Sequence, residues 1–355
     1  MMLTSSPMPQ KGLTLIELMI ALVLGLLLVA GTIQVFIANK QTNRVTEAHS
    51  RLQDNARFAL EILSRDIRSA GYSGCRAIEK MNVQVVADAP VPAKMSAQTM
   101  ITGTEGTSTA IVSATLGTVV TGTDTITIQR GTSCGATLTG NTGASNGNIQ
   151  VVYPNSCNIN AEDILMIADC EDAHIFRASN TPGTGGGTQT ITHVENFNDG
   201  THLCIDNESV GSGTCGTGNA KLYNYDAELF TFTAVTYFIR NGTNGTPALW
   251  SFDLTTDGAT PLELVEGIEN LQVEYGVDDG DDDIVDRYEN AKTIDDATEW
   301  DKVISARISI LAQTTDANLT TANQTLTYNG ASITIPNGRL ARVFTSTIGI
   351  RNRVQ

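Results

Sequence analysis

The sequence predicts an α+β chain in which one long N-terminal helix, membrane-spanning in its first half, packs on an enlarged antiparallel β domain. Three observations carry that prediction. An apolar stretch opens at Leu13 and reaches Ala38, and apolar residues then recur every three or four positions as far as Ala70. The rest of the chain alternates short strand-like runs with loops rich in glycine and threonine.

Residues 1–12 are short and polar and end in Gln10-Lys11-Gly12. The 26 residues from Leu13 to Ala38 exceed the roughly 20 that a helix needs to cross hydrocarbon. Lys11 ahead of them favours a cytoplasmic N-terminus. A secretory signal peptide or a plain signal anchor is the common explanation for such a segment. Here the apolar run is too long for a signal core, and no small-x-small cleavage site follows it. Glu17 separates this segment further from a bare anchor. A carboxylate so close to the start of a membrane helix costs about 2–3 kcal/mol or more and calls for a partner. Gly25 and Gly31 fit close helix packing as well as they fit ordinary tolerated membrane glycines.

Beyond Ala38 the pattern turns amphipathic. Val45, Ala48, Leu52, Ala56, Ala59, Leu63, Ile67 and Ala70 form one face, and arginines alternate with Glu47, Asp54, Glu61 and Asp66 around the rest. A helix from Leu13 to Ala70 is about 87 Å long at 1.5 Å per residue. Ala70-Gly71 supplies its stop. The first half therefore needs lipid or other helices around it, and the second half needs a sheet against one face.

Residues 71–355 hold thirteen strand-like runs, from Thr109–Ala114 to Leu340–Arg351. Alternation is clearest in Val303–Gln313, where Ile304, Ala306, Ile308, Ile310 and Ala312 are expected to face the core and Ser305, Arg307 and Ser309 solvent. No internal repeat is visible, and the Thr181–Asn219 region is at most a soft boundary within one body.

The net charge of -16 is unevenly distributed. Residues 39–80 carry eight Lys/Arg against five Asp/Glu, whereas residues 81–355 carry 13 against 32. So acidic a body repels phosphate backbones, which argues against nucleic acid as its partner. Six cysteines (Cys75, Cys134, Cys157, Cys170, Cys204 and Cys215) behind a membrane-targeting segment favour disulfides in an oxidising compartment. The short gaps favour Cys157 with Cys170 and Cys204 with Cys215, leaving Cys75 with Cys134.

The segment Lys11-Gly12-Leu13-Thr14-Leu15-Ile16-Glu17-Leu18 resembles the type III signal of type IV prepilins. The resemblance implies cleavage between Gly12 and Leu13 by the prepilin peptidase and N-methylation of Leu13. It also implies that Glu17 pairs with the amino terminus of an adjacent subunit during assembly. Gln53-Asp54-Asn55-Ala56-Arg57-Phe58-Ala59-Leu60, Ala70-Gly71-Tyr72-Ser73-Gly74-Cys75 and Ala168-Asp169-Cys170 further resemble PilW-type minor pilins. Leu271–Asp278 and Arg339–Ile348 do so too. From this follow a pilin fold and four segments: a cleaved leader at 1–12, a transmembrane half-helix at 13–38, an amphipathic half-helix at 39–70 and a β-rich body at 71–355. The implied role is that of a minor pilin initiating pilus assembly at or near the tip. Its implied partners are other minor pilins, the major pilin, the peptidase and the inner-membrane assembly platform. The chain would wait in the inner membrane with its body in the periplasm and end in the extracellular pilus. A minor pseudopilin of type II secretion shares the signal and architecture, and a membrane-anchored adhesin would share the anchor without cleavage.

The run Asp278–Asp286 packs six carboxylates, which repel one another unless screened. Asp279, Asp281, Asp283 and Asp286 are candidate Ca²⁺ ligands with alternate oxygens as at the start of an EF-hand loop. Ile284 replaces the turn glycine and Asn290 the closing glutamate, so the fit is imperfect. Gly211-Ser212-Gly213-Thr214-Cys215-Gly216 spells a nucleotide-loop pattern but lacks the flanking strand and helix. His49, His174, His193 and His202 form no HExxH, and His202 with Cys204 is at most half a metal site. No nucleophile, base and orienting group assemble, so the expectation is a peptidase substrate rather than an enzyme.

Overall fold

The computed structural model describes residues 12, 14–92, 94–106, 112–113, 116–140, 148–194, 196–198, 221–256 and 258–353. It opens with α1 (Leu15–Arg68), a single helix of 54 residues. There follow β1 (Asn82–Val85), β2 (Ile101–Thr104), β3 (Val112–Ser113), β4 (Gly117–Thr118), β5 (Thr125–Thr137) and β6 (Ile149–Val152). Next come β7 (Ile164–Ala168), β8 (Asp172–Arg177), β9 (Thr188–Ile191), β10 (Glu228–Asn241), β11 (Pro247–Asp253) and β12 (Leu262–Glu266). The chain ends with β13 (Ile268–Val277), β14 (Arg287–Asn290), α2 (Ala291–Ala297), β15 (Val303–Gln313), β16 (Gln324–Tyr328), β17 (Ala331–Ile335) and β18 (Ala341–Gly349).

The larger sheet is organised around β10. One edge of that strand is covered by β5, and its other edge is shared between β7 at its start and β11 at its end. The path runs β1-β8-β7-β10-β11-β12, with β2 outside β5. β1 pairs parallel with β8, and the other ladders are antiparallel. A second antiparallel sheet has the order β14-β13-β15-β18. Asp124 links the two sheets: its N–H donates to Leu271 O at 2.9 Å, and its Oδ2 accepts from Val273 N–H at 2.8 Å. At this junction Gly103 lies under Tyr275, where an added Cβ would sit 2.1 Å from the phenolic oxygen and 2.8 Å from Thr125 O. Only glycine allows that approach.

The second half of α1 docks on β15, β18 and β12. Leu52, Ala56, Ala59, Leu63 and Ile67 are buried with Val273, Ile308 and Ile310 in the main core, as the spacing predicts. Alanines along this face let the helix lie close to the sheets. The helix ends at the predicted place, because Gly71 takes φ +71°, a left-handed conformation that suits glycine. Alternation along β15 leaves Arg307 and Ser309 partly exposed, but Ser305 is buried rather than facing solvent. Gly276 from β13, with Val285 beside it, covers that position, and Ser305 Oγ reaches Tyr288 Oη at 3.5 Å. No reading of β15 by itself could show that a further strand folds over its start.

The disulfides correct two of the expected pairs, Cys157 with Cys170 and Cys75 with Cys134. Cys75 bonds Cys170 and Cys134 bonds Cys157. β7 runs between Cys157 and Cys170 and carries them to different places. Cys170 then lies at the β7–β8 turn beside the segment that follows α1, while Cys157 meets β5, where Ser156 N–H donates to Cys134 O at 2.9 Å. Cys204 and Cys215 lie outside the described residues.

Candidate assembly site

α1 begins with a capping box. The Thr14 N–H donates to Glu17 Oε2 at 3.0 Å, the Thr14 hydroxyl donates to the same oxygen at 2.9 Å, and Glu17 N–H reaches Thr14 Oγ1 at 3.3 Å. These bonds occupy helix N–H groups that have no partner inside the helix. Glu17 therefore has a partner within its own chain, which the sequence reading did not foresee. Its negative charge also lies at the positive end of the helix dipole. Gly12, one side of the expected cut, is exposed, and Leu13 lies outside the described residues.

From Leu15 to Ile37 the helix presents Ile16, Leu18, Met19, Leu22, Leu26, Phe36 and their apolar neighbours to the outside, each more than half exposed. None of its most apolar 18-residue window is buried against the body. Exposed apolar surface this extensive is stable only in lipid or against other apolar helices.

The far end of the same helix is firmly attached. Asp66, expected on the charged face, is buried, and its Oδ2 accepts from Tyr237 Oη of β10 at 2.5 Å. Its other oxygen faces Arg65 at 3.2 Å and Arg130 at 3.4 Å. Burial first, and then the adjacent Asp66 charge, push the Tyr237 phenol far above its ordinary range, so it stays a donor. Asp66 sits three residues after Leu63 and four before Ala70, on the apolar stripe itself. That spacing was the available signal. Backbone bonds complete the attachment, Arg351 N–H to Arg68 O at 3.2 Å among them, and Asn352 Nδ2 donates to Ala70 O at 2.8 Å.

The acidic run forms a self-bonded loop. Asp278 accepts from the N–H groups of Gly280, Asp282 and Asp283, and Asp286 accepts from that of Asp279. Asp279 pairs with Arg287 and Lys302. Among the described residues no three His, Cys, Asp or Glu side chains converge as a metal site, so Asp279, Asp281, Asp283 and Asp286 are not brought together as ligands. His49 bonds Gln53 at 3.1 Å, and His174 is buried against Tyr223 at 2.7 Å, with burial pulling its pKa down to about 4. His193 packs on Phe176. His202, Cys204 and the Gly211–Gly216 pattern lie outside the described residues.

Residues 7–33 match the prokaryotic N-terminal methylation motif, and residues 236–352 match the family of the type IV pilus-assembly protein W. Together the two matches support a PilW-type pilin. The family match covers the end of β10 and everything to β18, which includes the sheet of β13–β15 and β18 on which α1 docks. A type IV-like pilin from Thermus thermophilus is similar over 35% of this chain and 70% of its own, at 17% identity and a TM-score of 0.21, too low to carry an argument. No curated protein is significantly similar to the chain. Membrane anchoring and processing by a prepilin peptidase accord with the methylation motif and the exposed apolar half-helix of this pilin.

Proposed function

We propose that this PilW-type pilin is a minor subunit that helps to start a type IV pilus and is built in at or near its tip. The observation that carries the reading is the division of α1 into one half bound tightly to the body and another half with no partner in the chain. In the inner membrane, with the body in the periplasm, lipid would cover the free half. In a filament, the same surface would be covered by the helices of other minor pilins and the major pilin. The body of residues 71–355 is large for lateral packing in a regular array, which favours an end position.

Cleavage after Gly12 would leave Leu13 as a charged terminus one residue before the N-cap Thr14. A positive amine there is unfavourable beside the positive helix end, and the Glu17 carboxylate offsets it, whether the amine is its own or a neighbour's. Glu17→Gln separates the two tasks of this residue, because glutamine keeps the capping box and loses the charge. The expected result is a folded, cleaved chain whose share in sheared pili falls well below that of the wild type. Mass spectrometry of sheared pili reads both its presence and the state of Leu13. Wild-type incorporation of the Gln variant would refute charge pairing, and an uncleaved N-terminus in assembled pili would refute the prepilin reading.

A further inference from the structure

At the end of α1 farthest from the membrane, two adjoining clefts of about 760 and 390 Å³ share Arg351 and Asn352. Their walls bring together Arg65, Arg68, Arg76, Lys80, Arg130 and Arg351, with Glu61 as the only carboxylate lining either cleft among the described residues. Arg65 and Arg130 are occupied with Asp66. Arg68, Arg76, Lys80 and Arg351 have no carboxylate partner among the described residues. In a chain of net charge -16 this is an unusual concentration of uncompensated positive charge.

Helix polarity accounts for part of it, since cations near a helix C-terminus are stabilised. It accounts for Arg65 and Arg68 only. Arg76 and Lys80 come from the segment after the helix, and Arg351 comes from the end of β18, placed there by its backbone bond to Arg68. With Arg130 from β5, four separate segments thus converge on one trough.

We propose that this trough is a docking site for a carboxylate-rich segment of a partner protein. Arginine is well suited to that task, because its planar fork bonds carboxylates in pairs. A lipid headgroup is excluded by distance. Arg65 lies 27 residues beyond Ala38, roughly 40 Å along the helix, against a Debye length of about 8 Å. A long phosphate polyanion is disfavoured by what borders the trough. Lys80 also lines a neighbouring cleft that carries six carboxylates, those of Glu79, Asp278, Asp279, Asp281, Asp283 and Asp301. A nucleic acid running out of the trough would meet them, whereas a short acidic segment ends before them.

The test uses the full chain in detergent micelles with two probes, a fluorescein-labelled hexaglutamate peptide and a labelled short DNA duplex, read by anisotropy. The expected result is peptide binding that weakens as salt rises from about 50 to about 200 mM. Arg68→Glu with Arg351→Glu is expected to weaken it by about tenfold or more. Arg44→Glu with Arg57→Glu, the same charge change at exposed sites nearer the membrane, is expected to leave it near wild type. If the charge-reversed trough fails to fold by thermal unfolding, Arg68→Gln with Arg351→Gln replaces it, with the same expectation in direction. No peptide binding at low salt, equal loss in both double variants, or tighter binding of the duplex than of the peptide would each overturn the proposal.

Discussion

Single residues at two positions, one buried and one half-buried, set how this pilin responds to substitution and to pH. The Tyr237–Asp66 bond closes the core at the end of α1, and Tyr237→Phe would leave a buried carboxylate one partner short. The expected cost is about 1–3 kcal/mol, measured by urea unfolding. Glu105 lies at the junction of the two sheets with a buried, unpartnered Oε2. Burial chiefly, and then the charges of Asp124 and Glu274, push its pKa up to about 7 against the bond from Ala291. The folded chain therefore holds a proton that the unfolded chain releases from about pH 4.5 upward. Its contribution to stability is full below that pH, falls as pH rises towards 7, and is flat above it. Glu105→Gln is expected to remove this decline, so that the difference between urea midpoints at pH 5 and pH 8 shrinks relative to wild type. An unchanged difference would show that Glu105 is not the group responsible.

At the scale of elements, α1 was readable because its signals are local. The spacing of Leu52, Ala56, Ala59, Leu63 and Ile67 named the docking face, and Gly71 named the stop. Leu63 is completely buried, so Leu63→Ala is expected to cost about 2–5 kcal/mol in the same unfolding assay. β15 was the clearest strand, from its alternation, and the apolar runs Leu229–Arg240 and Asn270–Tyr275 marked β10 and β13. β1, β2, β12 and β14 were missed, and each has five residues or fewer. Asn82–Val85 or Arg287–Asn290 is too short and too mixed in polarity for a period to show. Such strands form because a neighbour presents an edge, β8 for the first and β13 for the second. The Cys75–Cys170 bond ties the segment after α1 to the β7–β8 turn across 95 residues of sequence. Cys75→Ser with Cys170→Ser is expected to lower stability by about 2–5 kcal/mol while leaving the helix content by circular dichroism unchanged.

The molecule as a whole is a body and an anchor joined by one continuous helix. The apolar half of α1 touches nothing in the body, whereas contacts begin at Gln41, whose Nε2 donates to Leu319 O at 2.8 Å. A chain beginning after Ala38 is expected to be soluble and to keep the body's near-ultraviolet circular dichroism and unfolding midpoint. Loss of that signal would mean that the anchor also supports the fold. The sequence by itself determined the anchor, the docking face of α1 and the β character of the rest, because each depends on residues within a few positions of one another. Tertiary structure alone decided the pairing of cysteines, the burial of Asp66 under Tyr237 and the meeting of Arg68, Arg76, Lys80 and Arg351 in one trough. Those contacts join segments tens to hundreds of residues apart. Which distant side chains meet is set by the order of strands in the two sheets, and no local period records that order. Glu17 belongs to both accounts: its place in the sequence announced a partner, and the folded helix supplied the first one, Thr14.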